Sequence, residues 1–183
     1  MTDVKDAAIL DNRTAISKLD PDGALASAES LADQINQVWQ ERQQIKFAEN
    51  EIKSIANIVV AGMGGSALGA DVVWHLFKDQ LTVPMYINRD YQLPNFVDHN
   101  TLVILSSYSG DTEEILSCAK LAEEKKSKIA VISSGGKLAD IAKNNNYPSF
   151  FINAKHNPSQ QPRMAIGYSI LAFICVLSAA KLL

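Results

Sequence analysis

Three segments of this chain concentrate residue types that can bind an anion. The first, residues 62–69 (GMGGSALG), follows a short apolar run and combines several glycines with the hydroxyl of Ser66. Glycine lets the backbone turn sharply and approach a ligand closely, and a helix that begins there offers unpaired N–H groups to an anion. The pattern predicts an anion-binding turn, and the alternative is a tight strand-to-helix turn that binds nothing.

The same segment admits a second reading as a dinucleotide site. Gly62, Gly64 and Ala67 fit the pattern G-x-G-x-x-A, and Asp90 lies near the end of the next apolar run, where an acid that binds ribose is expected. No Gly-Lys-Ser/Thr follows, so the segment is not a P-loop. An NAD-dependent oxidoreductase domain therefore stays open as an alternative at this point.

The second segment, residues 106–114 (SSYSGDTEE), clusters hydroxyl groups ahead of a predicted helix. Ser107, Ser109 and Thr112 could surround a phosphate, and each charge-assisted hydrogen bond contributes about 1.5–3 kcal/mol. The segment holds no basic residue, which favours a small monophosphate over a triphosphate with magnesium. Asp111 and Glu114 have the spacing of a capping box, so Asp111 is predicted to be the N-cap of the helix.

The third segment, residues 157–169 (NPSQQPRMAIGYS), contains Arg163, the only charged residue between Lys155 and Lys181. A guanidinium at the start of a buried helix is costly unless it meets an anion. We therefore predict that Arg163 faces an anionic group. The alternative is a surface arginine that only marks the start of the apolar helix.

Apolar runs of strand length alternate with helical stretches and must position these segments. The continuous apolar character of the runs indicates that both faces of the sheet are covered. We predict an α/β fold, a three-layer α/β/α sandwich with a five-stranded parallel sheet in flavodoxin-type strand order, preceded by N-terminal helices. The predicted strands are residues 57–61, 83–88, 101–105, 128–133 and 149–153, and the predicted helices between and after them are residues 66–78, 111–125, 137–144 and 162–183.

The N-terminal region reads as helical without a strand. Residues 1–20 are predicted to form a short helical lead-in, and residues 21–45 a long amphipathic helix with Asp20 as its N-cap. An apolar stripe recurs at helical spacing along that helix: Leu25, Ala28, Leu31, Ala32, Ile35 and Val38. This stripe is expected to face the core.

Composition narrows the class of protein. The 183 residues carry a net charge of −3, which argues against a nucleic-acid or anionic-membrane partner. Two isolated cysteines and an opening segment without the apolar stretch of a signal peptide indicate a reducing cytoplasm. The apolar segment before Lys181 approaches the length of a membrane span, but we expect an interior helix. His99 and His156 lie in polar loops without a second ligand, so no metal site is predicted.

The three segments together resemble the sugar isomerase (SIS) domain. More narrowly, GMGGSALG, SSYSGDTEE and QPRMAIGYS, in that order and each after a strand, resemble the N-terminal half of the bifunctional phosphoglucose/phosphomannose isomerase family. The resemblance covers nearly the whole chain. It divides the chain into a helical lead-in over residues 1–50 and an SIS domain over residues 51–183, expected to be the first of two.

The resemblance implies aldose–ketose isomerisation of a hexose 6-phosphate through a cis-enediolate, without metal or redox cofactor. It assigns Gly64 and Gly65 to the sugar and gives Arg163 a catalytic place near C1 and C2. The phosphate is assigned to the hydroxyls of Ser66, Ser107, Ser109 and Thr112.

The resemblance implies that the general base is a Glu in a second SIS domain and that the ring-opening His also lies beyond the first domain, so no base is expected among these residues. A non-catalytic sugar-phosphate-binding regulatory SIS domain is therefore the first alternative to the enzyme. SIS domains usually pair, and we expect a homodimer or pairing with a second SIS domain.

Overall fold

The computed structural model describes residues 7–183, which build one parallel five-stranded sheet with the strand order β2-β1-β3-β4-β5. The strands are β1 (Asn57–Gly62), β2 (Met85–Asn88), β3 (Thr101–Ser107), β4 (Lys128–Ser133) and β5 (Ser149–Phe151). This is the flavodoxin-type order, so the predicted topology is confirmed. The predicted first two residues of β2 and last two of β5 lie outside the strands, while β1 and β3 extend further than predicted.

Helices cover both faces of the sheet. They are α1 (Ala7–Leu10), α2 (Arg13–Leu19), α3 (Ala24–Glu29), α4 (Leu31–Glu41), α5 (Glu49–Ile52), α6 (Gly64–Phe77), α7 (Glu113–Glu124), α8 (Gly136–Asn145) and α9 (Ile166–Ala179), with 3-10 turns at Arg42–Gln44 and Pro162–Ala165. Alternate β1 residues enter two separate cores: Ile58 joins α6 and α9, whereas Val59 joins α7 and α8. This division explains why the strands are apolar on both faces.

The single helix predicted over residues 21–45 is wrong. Two α-helices occupy this region, because the backbone leaves helical geometry at Ser30 (φ −80°, ψ 9°), whose hydroxyl donates to the carbonyl of Ala26 at 2.8 Å. Serine favours such local bonds over helix continuation. The helical region begins at Ala24, not at Pro21, although the Asp20 carboxylate still accepts the N–H groups of Ala24 and Leu25 at 2.9 and 2.8 Å. These bonds lower the pKa of Asp20.

The predicted apolar stripe is not the buried face of these helices. Leu25 and Leu31 are 37% and 41% exposed, whereas the polar side chains of Ser27 and Gln34 are fully buried. Of the stripe, Val38 is 1% exposed and joins the core against α9. The α3–α4 pair thus turns a polar face towards the rest of the chain. The opening residues 1–6 of the predicted lead-in lie outside the described residues, and the domain boundary at residue 50 stays a prediction.

The last helix ends earlier than predicted and is capped. Lys181 has a φ of 58°, and the N–H of Leu182 donates to the carbonyl of Leu177 at 2.9 Å. This is a Schellman arrangement, which satisfies carbonyls that the helix end would leave free. The segment Pro162–Ala179 is long and apolar enough to cross a membrane, and half of it is buried within the fold, where Phe173 and Val176 lie in the core. Burial accounts for the apolar composition of that half.

The crossing of α6 and α9 depends on Gly69. A Cβ at this position would overlap the Ser169 hydroxyl and lie 2.8 Å from the Ser169 Cβ. We predict that Gly69→Val lowers the free energy of unfolding by about 1–3 kcal/mol or more, because overpacking forces the two helices apart. Urea unfolding followed by circular dichroism measures the change. Leu68→Ala, on the exposed side of the same helix, serves as the control and should unfold near the unsubstituted chain.

Candidate active site

The parallel register brings the three predicted segments to one edge of the sheet. Gly62 pairs with Ser106, and Ser107 pairs with Ser133, so the loops after β1, β3 and β4 leave the sheet side by side. The third segment follows β5, which pairs with β4 through Ser133 and Phe151. Carboxyl ends of strands are where open α/β sheets bind ligands.

The turn after β1 packs directly against the third segment. A Cβ on Gly65 would lie 2.9 Å from the carbonyl oxygen of Pro162 and 3.1 Å from the amide nitrogen of Arg163. Only glycine allows this approach of two backbones. Gly64 has a φ of +51° with nothing near its missing side chain, and it is exposed at the mouth of the turn. The structure therefore brings Gly64, Gly65 and the backbone of Arg163 together.

Ser66 joins the turn to the serine-rich loop. Its hydroxyl accepts the N–H of Tyr108 at 3.0 Å, and the Ser106 hydroxyl donates to the Ser66 carbonyl at 3.3 Å. A hydroxyl that accepts one hydrogen bond keeps its own proton for another partner. Ser66 is partly exposed, so this proton remains available.

Within the serine-rich loop the hydroxyls divide between buried and exposed positions. Ser107 is 1% exposed; its oxygen accepts the N–H of Gly110 at 3.0 Å and lies 2.7 Å from the Thr112 hydroxyl. Ser109 is exposed, and its oxygen accepts the N–H of Asp111 at 3.3 Å. Ser107 therefore shapes the loop from inside, while Ser109 faces the solvent.

The amino end of α7 supplies backbone donors next to these hydroxyls. Thr112 is the N-cap and contributes no side-chain cap bond, so the N–H groups of Glu113 and Glu114 begin the helix without that partner. The prediction of Asp111 as N-cap is wrong. Its carboxylate instead accepts the N–H of Lys137 at 3.2 Å, at the start of α8, because the chain turns once more before α7 begins.

Negative charge accumulates at this helix start. The carboxylate of Glu114, followed by burial and then Glu113, raises the pKa of the Tyr91 phenol. An anion that binds at α7 therefore experiences repulsion from two acids as well as attraction from the helix N–H groups.

Arg163 is exposed on the 3-10 turn Pro162–Ala165 and pairs with no acid among the described residues. The argument that its burial requires an anion is therefore wrong, since the guanidinium stays in water. Its backbone, however, is fixed against Gly65. The backbone of Arg163 is thus held in place, whereas its guanidinium is exposed and has no acidic partner among the described residues.

A groove of about 800 Å³ opens beside the serine-rich loop. Ser109 and Pro162 line it, together with Tyr108, Lys155 and Asn157, which sequence reasoning did not select as site residues. Tyr108 lies inside the motif SSYSG and Asn157 begins the third segment. Their proximity to the motifs is the sequence signal that could have identified them. Lys155 brings a second cation to this edge. Among residues 7–183, no three His, Cys, Asp or Glu side chains gather as metal ligands would.

Asp90, the acid of the dinucleotide reading, has a local partner. Its Oδ1 accepts the N–H of Tyr91 at 2.6 Å and lies 3.4 Å from the amide nitrogen of Gln92. The carboxylate therefore closes its own turn after β2. No observation in the described residues favours the dinucleotide reading over the others.

Curated relatives support the resemblance by sequence. The chain is 37% identical over 148 residues to a bifunctional phosphoglucose/phosphomannose isomerase of Caldicellulosiruptor bescii, matching 81% of this chain and 42% of that protein. It is 40% identical over 98 residues to a D-glucosamine-6-phosphate 4-epimerase of Sulfolobus acidocaldarius, matching 53% of this chain and 30% of that protein. The chain thus spans about two fifths of the first of these relatives. No protein-family model matches it.

Solved structures show the same fold. A tagatose-6-phosphate ketose/aldose isomerase homologue from Clostridium novyi NT superposes with a TM-score of 0.62 at 20% identity, covering 87% of this chain and 44% of that one. At this identity the likeness establishes the fold alone.

Ser107 and Ser109 provide a matched pair for testing the loop. Ser107→Ala leaves the buried N–H of Gly110 without its acceptor, so we predict a loss of about 1–3 kcal/mol in the free energy of unfolding. Ser109→Ala removes an exposed hydroxyl and should change stability by less than about 0.5 kcal/mol. Urea titration of both variants measures the difference. Equal losses would contradict the division into an internal and a solvent-facing serine.

Proposed function

Because the chain belongs to the bifunctional phosphoglucose/phosphomannose isomerase family, we propose that it supplies the phosphate-binding half of a hexose 6-phosphate isomerase. The reaction interconverts glucose 6-phosphate or mannose 6-phosphate with fructose 6-phosphate through a cis-enediolate. The observation that carries the proposal is the meeting of the glycine turn, the serine-rich loop and the Arg163 turn at one edge of the sheet.

The phosphate is proposed to bind at the amino end of α7. The hydroxyls of Ser66, Ser109 and Thr112 donate to its oxygens, together with N–H groups of the first helical turn. Ser107 is included in this set by the family motif. Its buried hydroxyl supports the proposal by holding Thr112 at 2.7 Å and so fixing the direction of that side chain.

The sugar is proposed to extend from the phosphate across Gly64 and Gly65 towards Arg163. A carboxylate removes the proton from C2, the resulting enediolate is reprotonated at C1, and the guanidinium stabilises the negative charge that develops between these atoms. The exposed guanidinium fits this role because it is unpaired among the described acids and can turn to the substrate. The base is expected outside these 183 residues.

The epimerase relative supports a second candidate for the same site. This relative is a D-glucosamine-6-phosphate 4-epimerase, whose substrate is a hexosamine 6-phosphate, and it is 40% identical to this chain over 98 residues. Both activities require a sugar 6-phosphate, so the phosphate-binding residues serve either one. The epimerase reaction changes the configuration at C4, whereas the isomerase reaction takes place at C1 and C2. NMR analysis of the products distinguishes the two reactions.

We further propose a cytoplasmic protein that pairs through SIS domains, as a homodimer or with a second domain. Both cysteines, Cys118 and Cys175, are free and buried, as expected in a reducing compartment. Burial raises the pKa of the Cys118 thiol to about 11, so the thiol stays protonated and unreactive at neutral pH.

The phosphate assignment predicts two different binding defects. Ser109→Ala should weaken fructose 6-phosphate and inorganic phosphate equally, by about tenfold for one lost charge-assisted bond. Arg163→Ala should weaken fructose 6-phosphate more than inorganic phosphate, because the guanidinium is assigned to the sugar. Isothermal titration calorimetry on the chain measures all four affinities.

Lys120→Ala is the control for the loss of one positive charge. Lys120 is exposed on α7, near Glu124 and away from its first turn. Its substitution should leave both affinities within about twofold. Absence of sugar phosphate binding by the unsubstituted chain, or unaltered binding by Ser109→Ala and Arg163→Ala, would overturn the proposed site.

The same proposal predicts that these 183 residues bind sugar phosphate without turning it over. General-base transfer contributes about 10²–10⁴-fold to such a reaction, and the base is assigned elsewhere. A coupled assay for glucose 6-phosphate formed from fructose 6-phosphate measures turnover. Robust isomerase activity would show that one of the described carboxylates acts as the base.

A further inference from the structure

Gln34 is a fully buried polar side chain in a helix that the active-site motifs do not include. Its amide nitrogen donates to the carbonyls of His156 and Met164 at 2.9 and 2.8 Å, and lies 3.3 Å from the carbonyl of Ser27. Its Oε1 accepts the N–H of Gly167 at 3.1 Å. The side chain thus satisfies all its hydrogen-bonding groups within the fold.

These bonds hold the segment that carries Arg163 at points other than its contact with the glycine turn. The carbonyl of Met164 follows Arg163 directly, while the amide nitrogen of Arg163 lies against Gly65. Gly167 permits the contact, since a Cβ there would lie 2.9 Å from the Gln34 Oε1. The backbone of the Arg163 turn is therefore clamped between α6 and α4.

The same segment is tied at its other end. The Asn157 amide donates to the Tyr108 hydroxyl at 2.8 Å, and the Ser159 hydroxyl donates to the Asn157 Oδ1 at 3.0 Å. The Ser27 hydroxyl lies 2.9 Å from that of Ser159. Polar groups of α3, the third segment and the serine-rich loop form one continuous network.

We propose that Gln34 is a positioning residue for Arg163: it fixes the turn from which the guanidinium reaches the sugar. The proposal rests on the proposed function, because it needs the assignment of Arg163 to the sugar part of a hexose 6-phosphate. Gln34 itself touches no substrate. It acts through the backbone of His156, Met164 and Gly167.

The test is a double-mutant cycle in which the affinities for fructose 6-phosphate and inorganic phosphate are measured. Gln34→Met keeps the length of the side chain and removes its donors and acceptor. It should weaken fructose 6-phosphate by about five- to tenfold, while inorganic phosphate, bound at α7, changes by less than about twofold. In an Arg163→Ala background Gln34→Met should have no further effect on fructose 6-phosphate.

Val38→Ala is the matched control for lost stability. Val38 is buried one turn further along α4 and faces the apolar core. It should lower the melting temperature without changing the ratio of the two affinities. The proposal is overturned if Gln34→Met weakens both ligands equally, if it behaves as Val38→Ala does, or if its effect adds fully to that of Arg163→Ala.

Hydrogen exchange decides the case in which the unsubstituted chain binds no sugar phosphate and the proposed function fails. Gln34→Met should then accelerate exchange of the Ser159 and Gly167 amides, whose acceptors belong to this network, while β1 amides stay protected. Unchanged exchange at these two amides would overturn the positioning role independently of any ligand.

Discussion

The close approach of two backbones at Gly65 sets the geometry of the whole site. The first turn of α6 can touch Pro162 and Arg163 only because no Cβ stands between them. That contact holds the start of α6, which carries Ser66, against the third segment. Ser66 in turn accepts the N–H of Tyr108, which locates the serine-rich loop. A side chain at Gly65 would therefore disturb all three segments together.

Hydroxyl groups serve the site in two ways that their positions distinguish. A buried hydroxyl with two partners inside the loop, such as Ser107 with the N–H of Gly110 and the hydroxyl of Thr112, stabilises the loop. A hydroxyl that accepts a single internal bond, such as Ser66 or Ser109, can still donate to a phosphate oxygen. The loop needs both kinds, because a preorganised site does not spend binding free energy on ordering its donors.

The sheet could be predicted from sequence because its apolar runs are longer and more uniform than turns allow. The site segments could be predicted because glycine and serine cluster directly after those runs. The α3–α4 region could not, because two of its three buried side chains, Ser27 and Gln34, are polar and bond to groups more than a hundred residues away; the third is Val38. A periodicity argument assigns such polar residues to the surface. The prediction of Asp111 as N-cap failed for a related reason, since its carboxylate accepts the N–H of Lys137 in the following helix.

A neutral amide suits the buried clamp better than a charged side chain. Gln34 meets two close carbonyl groups and one N–H group, so its donor and acceptor are both used, and no charge has to leave water. The charged group of this turn is the guanidinium of Arg163, which is exposed to solvent. At the proposed site Glu113 and Glu114 repel an anion bound at α7, so we expect the orientation of the Arg163 guanidinium to set how much attraction the substrate gains. Gln34 holds the backbone of the Arg163 turn and adds no net charge. In the proposed site, the balance of repulsion and attraction is then set by the two acids, the substrate and the guanidinium.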